Sequence, residues 1–257
     1  IRTTAGSSET LELLERGEGD VGFVQGGVAR RGDAEYLRTV ANVFYEPIWI
    51  FYQRDAFGGE ELTRLSQARG SRIALGHEGS GTRELAGTLV AQAGLTFENT
   101  TFLNLSFDEA ARQLAAGEID VAFFVLADAS ELPWRLIGEP GIELMSMERA
   151  DAYAFHYPWL QKLVLPEAGA DVALGLPHKP KQLLATTASL VARSDLHPDL
   201  VRLLVVAAAA THRSGGRFEA PNQFPNLELT DLPVDEEAEA YMQEILRGRT
   251  FLDRYFP

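Results

Sequence analysis

Gly17-Glu-Gly-Asp-Val-Gly-Phe-Val24 returns as Gly117-Glu-Ile-Asp-Val-Ala-Phe-Phe124, in the same register and 100 residues further on. Each copy follows an apolar stripe at helical spacing, Leu11 and Leu14 before the first, Ala110, Ala111, Leu114 and Ala115 before the second. In each, a Gly is placed to take the left-handed conformation that ends a helix, and an Asp sits where backbone amides need an acceptor at the turn. A short apolar run then reads as a buried strand, Val21–Val24 in one copy and Val121–Val125 in the other. Ser106-Phe-Asp-Glu109 is a capping box for the second helix. Two helix-Gly-turn-strand units predict two α/β lobes, with helices covering both faces of parallel strands.

The composition allows this and excludes several partners. At 257 residues, 46% hydrophobic and 23% charged, the chain is long enough for two lobes with real cores. A formal net charge of −14 repels nucleic-acid phosphates and anionic membrane surfaces, so no nucleic-acid partner is expected. The basic spots Ala29-Arg-Arg31 and His178-Lys-Pro-Lys181 are too short to override it. The absence of cysteine removes disulfides, thiolate metal sites and cysteine nucleophiles. The longest apolar run, Leu203 to Ala210, falls well short of the ~18 residues a membrane span needs.

Between and after the two copies, the chain alternates in the same style. Ile1 to Thr4 reads as a strand tail and Ser7 to Arg16 as a helix. Glu60 to Ala68 reads as a polar helix, Ile142 to Met145 as a strand, and Asp151 to Tyr157, Pro198 to Thr211 and Asp235 to Leu246 as helices. Ser214 to Pro233, rich in Gly, Pro and Asn, reads as an ordered surface loop. Two long extended segments, 45–52 and 183–193, are taken as strands crossing between the lobes. In the first, strand alternation puts Tyr45, Trp49 and Phe51 on one face and Phe44, Ile48 and Tyr52 on the other.

Chemistry concentrates in two loops. Gly79-Ser-Gly-Thr82 lies between a strand and a helix, where free amides and the helix dipole favour an anion and glycines allow close approach. An ordinary Ser cap on a tight turn explains the same residues about equally well. Thr3-Thr-Ala-Gly-Ser-Ser8 repeats the construction in the other lobe, and both loops fall at the carboxyl ends of strands, where open α/β sheets bind ligands. Thr82 and Arg83 stand where a phosphate-binding loop needs Lys and Ser or Thr, so nucleotide hydrolysis is not expected. His77-Glu78 lacks a second His at position 81, and His77, His156, His178, His197 and His212 show no metal-ligand spacing. Asp20 and Asp120, the acids of the repeat, are read as turn acceptors rather than a catalytic pair.

Taken together, "TTAGSSETLELLERGEGDVGFVQGGVA", "YEPIWIFYQ", "IALGHEGSGTRELAGTLVAQAGL", "AAGEIDVAFFV" and "AYMQEILRGRTFLDRYFP" resemble the TAXI family of solute receptors for TRAP transporters. The resemblance runs in order over nearly the whole chain. It implies the α/β, two-lobed type II periplasmic-binding-protein fold with two crossing strands, lobe one being residues 1–47 plus 188–257 and lobe two 48–187. It also implies that lobe one lacks a first strand and helix that family members carry before the T-x-G-S loop. The implied activity is binding without catalysis or cofactor: a small carboxylate of the glutamate, glutamine or 2-oxoglutarate class is held between the lobes and passed to membrane permease subunits. Carried over by position, Thr4, Ser7 and Ser8 form the lobe-one ligand loop, Gln25 faces the cleft, Ser80, Gly81, Thr82 and Arg83 form the lobe-two loop, and Phe124 lies near the ligand. The implied location is periplasmic or extracytoplasmic, and Phe251-Leu-Asp-Arg-Tyr-Phe-Pro257 resembles members anchored by a following membrane span. Two rival readings stay open, an anchored sensory ectodomain and an enzyme on the same scaffold.

Overall fold

The structure is a computed structural model that describes residues 1–30 and 32–246. Its strands are Val21–Gln25 (β1), Leu37–Gln53 (β2), Arg72–Ala74 (β3), Thr101–Leu103 (β4), Val121–Val125 (β5), Ile142–Leu144 (β6), Gln161–Leu165 (β7) and Lys181–Arg193 (β8). The helices are Ser7–Glu15 (α1), Gly81–Gln92 (α2), Phe107–Ala115 (α3), Glu131–Ile137 (α4), Ala150–His156 (α5), Pro198–His212 (α6) and Glu236–Leu246 (α7).

One mixed sheet runs through the molecule in the order β1-β8-β2-β5-β3-β4, with β6 added to β2 and β7 to β8. Its spine is the antiparallel pair β2 and β8, the two segments expected to cross between lobes. At one end the pair carries β1, α6 and α7. At the other it carries β5, β3 and β4, of which the last two run parallel to β5.

The aromatic strand behaves as strand alternation requires. Tyr45, Trp49 and Phe51 are buried together with Leu114, Phe124 and Leu183, whereas Ile48, Ile50 and Tyr52 pack on the opposite face with Ile73, Leu85 and Phe123. Upstream, two register shifts in the β2–β8 ladder re-aim the strand. There Val40 and Val43 meet Val201 and Val205 of α6 and Tyr241 of α7 in a third cluster, against which Phe44 packs.

The repeated segment forms equivalent helix ends, with Gly17 at φ +69° and Gly117 at φ +67°, as a residue without Cβ permits. The strands that follow differ. β5 is wholly buried, parallel to β3 but antiparallel to β2, while β1 lies at the sheet edge and leaves Phe23 61% exposed. The expectation of a buried strand therefore holds for the second copy and fails for the first, because an edge strand has a neighbour on one side only.

Other local expectations change as well. Residues 1–4 form no strand, and the helix expected at Glu60 to Ala68 shrinks to one 3₁₀ turn, Leu65–Ala68. Only half of the capping box forms: Ser106 Oγ accepts the Glu109 amide at 3.4 Å, but the Glu109 carboxylate turns to Arg112 and Gln113. Residues 214–233 are more than a surface loop. Phe224 is buried edge-on against Tyr45, Asn226 exchanges backbone hydrogen bonds with Asn42, and the Asp231 carboxylate accepts the Gly27 amide at 2.6 Å and the Ala29 amide at 3.2 Å.

Among the described residues no helix is long and apolar enough to cross a membrane. The segment Phe251–Pro257, which carried the likeness to anchored receptors, lies outside the described residues, as does Arg31.

Candidate functional site

A cleft of about 320 Å³ opens where the middle of the β2–β8 spine meets both chemical loops. Thr4 reaches it from the loop before α1, Ser7 from the first residue of α1, Gln25 from the end of β1, Ser80 from the cap of α2, and Gly81 and Thr82 from its first turn. Glu46 and Phe44 of β2, His77, Phe107 and Val125 complete the parts that matter chemically.

The two loops touch through their backbones. Gly6, at φ +152°, has no Cβ, and one placed there would lie 2.8 Å from the Ser80 Cα. His77 adds a polar tie, its Nε2 lying 2.7 Å from the Ala5 carbonyl oxygen. A carbonyl only accepts, so Nε2 carries the proton, and Nδ1 is left buried without a partner.

Gln25 spans the junction. Its backbone amide donates to Ser7 Oγ at 2.9 Å and its side-chain amide donates to the Val125 carbonyl at 3.4 Å. Its Oε1 occupies the space that a Cβ on Gly81 would need, which makes Gly81 a close-approach glycine rather than only a turn residue.

The hydroxyls divide by duty. Ser80 caps α2, accepting the Arg83 amide at 3.2 Å and donating to the His77 carbonyl at 2.6 Å. Thr4 bonds Thr10 Oγ1 at 2.9 Å. Thr82 is only 2% exposed, lines the cleft, and its hydroxyl has no hydrogen-bond partner among the described residues. It is the free side-chain donor of the α2 loop.

Six of the nine residues singled out from the sequence line this cleft; three do not. Ser8 sits one position beyond Ser7 on α1, and the helical turn points it at Leu11, Val28 and Asp33, where its Oγ is buried and unpartnered. Arg83 gives its amide to the Ser80 cap while its guanidinium, half-buried with Nη1 unpartnered, lies away from the cleft. Phe124 alternates to the far face of β5 and packs between Phe51 and Phe107, so the cleft is reached by Val125 instead.

Glu46 and His77 were not singled out. Glu46 keeps contact with solvent only partially and is walled in by protein; burial pushes its carboxyl up to about 7, against the opposing effect of a hydrogen bond from Gln25. Among the described residues it is the one carboxylate in the lining, and no Lys or Arg lines the cleft with it. Glu46 is the one acidic residue of β2, set between Tyr45 and Pro47, which is the sequence signal that marks it.

A second cavity, about 380 Å³, lies at the far end of the spine around Arg54 and Lys181. Its charges are mostly internal pairs, Lys179 with Glu61 at 2.6 Å and Arg54 with Glu143 at 3.8 Å. No group of His, Asp and Glu suited to a metal ion occurs among the described residues.

A single sheet with two long shared strands, helices on both sides and a cleft at the join that both loops reach has the type II periplasmic-binding-protein fold. The chain belongs to the NMT1-like family, whose model matches residues 1–209. Among solved structures it is similar to a protein of Bordetella bronchiseptica RB50, with 16% identity and a TM-score of 0.55 over 96% of this chain and 71% of that one. A Xanthomonas citri protein bound to chloride ion gives 14% identity and a TM-score of 0.52, over 95% of this chain and 81% of that one. The periplasmic aliphatic sulphonate binding protein of Escherichia coli gives 14% identity and a TM-score of 0.52 over 82% of this chain. The alignment spans 61% of the length of that sulphonate-binding protein. At these identities the likeness concerns the fold. No curated protein sequence matches the chain.

Proposed function

We propose that the protein is an extracytoplasmic solute receptor that holds a small carboxylate between two lobes, residues 1–47 with 188–257 and residues 48–187, and presents the closed form to permease subunits of a TRAP-type transporter. The observation that carries this reading is the meeting of two helix N-termini, those of α1 and α2, at one cleft lined by Thr82, whose hydroxyl has no hydrogen-bond partner among the described residues. A carboxylate there takes free amides from one helix and the Thr82 hydroxyl from the other. Contact with both sides is what lets a ligand favour closure, since a ligand held by one lobe alone shifts nothing.

The family membership and the E. coli sulphonate-binding neighbour support a binding role, and the TAXI-like loops favour the TRAP form of it. The test is a thermal-shift screen of amino acids and mono- and dicarboxylates. A true ligand at a hundred times its Kd adds about 2.7 kcal/mol of stability. Thr82→Ala is expected to abolish most of the shift, and a screen with no shift would sink the receptor reading.

A further inference from the structure

Resting on that reading, we infer that Glu46 is the specificity-determining residue of the cleft, and that the solute carries a protonated amine, paired with Glu46, in addition to its carboxylate. Several elements pack around the Glu46 carboxylate. From β1 comes the Gln25 amide, already shared with the Val125 carbonyl. From the loop before α2 comes His77, whose ring proton is committed to the Ala5 carbonyl. The loop before α1 offers the uncharged Thr4, α1 offers Ser7, β8 offers Ala188, and β5 offers Val125. Among the described residues, no side-chain cation lines the cleft with Glu46.

Donors for a ligand's acceptors are therefore plentiful, in the free amides and the Thr82 hydroxyl, whereas Glu46 is the one charged acceptor. A buried carboxylate without a cation is unfavourable, and a guest that supplies the cation removes that cost. A dicarboxylate lacking an amine does the reverse, bringing like charge against Glu46. Burial holds the empty-state carboxyl near neutrality, so at pH 7 a bound ammonium drives Glu46 to its ionised form and expels a proton.

This separates two modes that static geometry leaves alike. If the amine pairs with ionised Glu46, binding releases protons and tightens as pH rises from 6 to 8. If a protonated Glu46 donates to a ligand carboxylate, binding takes up protons and weakens over the same range.

The experiment is calorimetric titration of the protein with L-glutamate and with glutarate, which differ by the amine, at pH 6 and 8 in two buffers of different ionisation enthalpy. L-glutamate is expected to bind at least ten-fold more tightly than glutarate, with net proton release at pH 7. Glu46→Gln is expected to shrink that preference to under three-fold and to remove the proton release. Equal or tighter binding of glutarate, or proton uptake with L-glutamate, overturns the role of Glu46 while leaving a carboxylate receptor standing. Binding of neither probe, with no response in the wider carboxylate screen, overturns the receptor reading and this inference with it. Glu46→Gln is checked by its melting transition, so that loss of binding is not mistaken for loss of fold.

Discussion

The Gly6 backbone rests against Ser80 so closely that a single added methyl on Gly6 would approach the Ser80 Cα to 2.8 Å. Two loops 74 positions apart in the sequence thus meet by main chain, and the cleft's shape depends on two glycines, Gly6 here and Gly81 beneath Gln25. Gly6→Ala is expected to cost about 1–3 kcal/mol, from an unfavourable backbone conformation combined with the clash. Urea denaturation reads this directly. Gly81→Ala is expected to displace the Gln25 amide and weaken ligand binding more than ten-fold; unchanged affinity would mean that Gln25 does not shape the site.

Glu46 gives the protein a pH-dependent stability with a definite sign. Its folded-state value of about 7 lies above its ordinary 4.5, so the folded protein holds this proton more tightly than the unfolded chain. The corresponding stability is fully present below pH 4.5 and is lost as pH rises through 7, amounting to at most about 3.5 kcal/mol at about 1.4 per unit. Burial also raises Glu219 and Asp231, which slope in the same direction. Glu46→Gln should therefore flatten, without abolishing, the fall in urea midpoint between pH 5 and 8.

The acids of the repeat are expected to behave unequally. Asp120 accepts the Arg72 amide at 2.7 Å and grips its guanidinium at 2.6 and 3.1 Å, a set of bonds that outweighs burial and keeps the carboxyl below its ordinary range. Asp120→Ala orphans the Arg72 amide and is expected to cost about 1–3 kcal/mol. Asp20 is exposed and its carboxylate makes no hydrogen bond among the described residues, so Asp20→Ala should stay within about 0.5 kcal/mol. Comparable losses in the two variants would contradict the structural inequality of the copies.

Asp231 ties residues 214–233 to the turn after β1 by accepting two backbone amides. Asp231→Ala leaves both without that acceptor and is expected to cost about 1–3 kcal/mol and to raise hydrogen exchange at Gly27 and Ala29. Exchange unchanged at those two amides would show that this carboxylate does not hold the turn.

Much of the fold was legible because it rests on local rules: left-handed glycines at 17 and 117, alternation in Tyr45 to Tyr52, and a Ser cap before α2. What the sequence hid was set by pairing partners. Nothing local to Val21–Val24 says that β1 will be an edge strand, and nothing in Glu109 says that its carboxylate will prefer Arg112 to its own helix end. The site divides similarly. Ser7 and Thr82 were found through loop chemistry, whereas Ser8, Arg83 and Phe124 turn away because one residue along a helix or strand changes the face. His77 was missed because its partner is a backbone carbonyl, Ala5, that no side-chain pattern announces.

The central claim is that one small solute is held by both loops at once. Crystallisation of the protein with the solute giving the largest thermal shift tests it most directly. The expected density is a small molecule in the cleft, touching the Thr82 hydroxyl on one side and the loop of Thr4 to Ser7 on the other. Density confined to one loop, or lying outside the cleft, would contradict the claim.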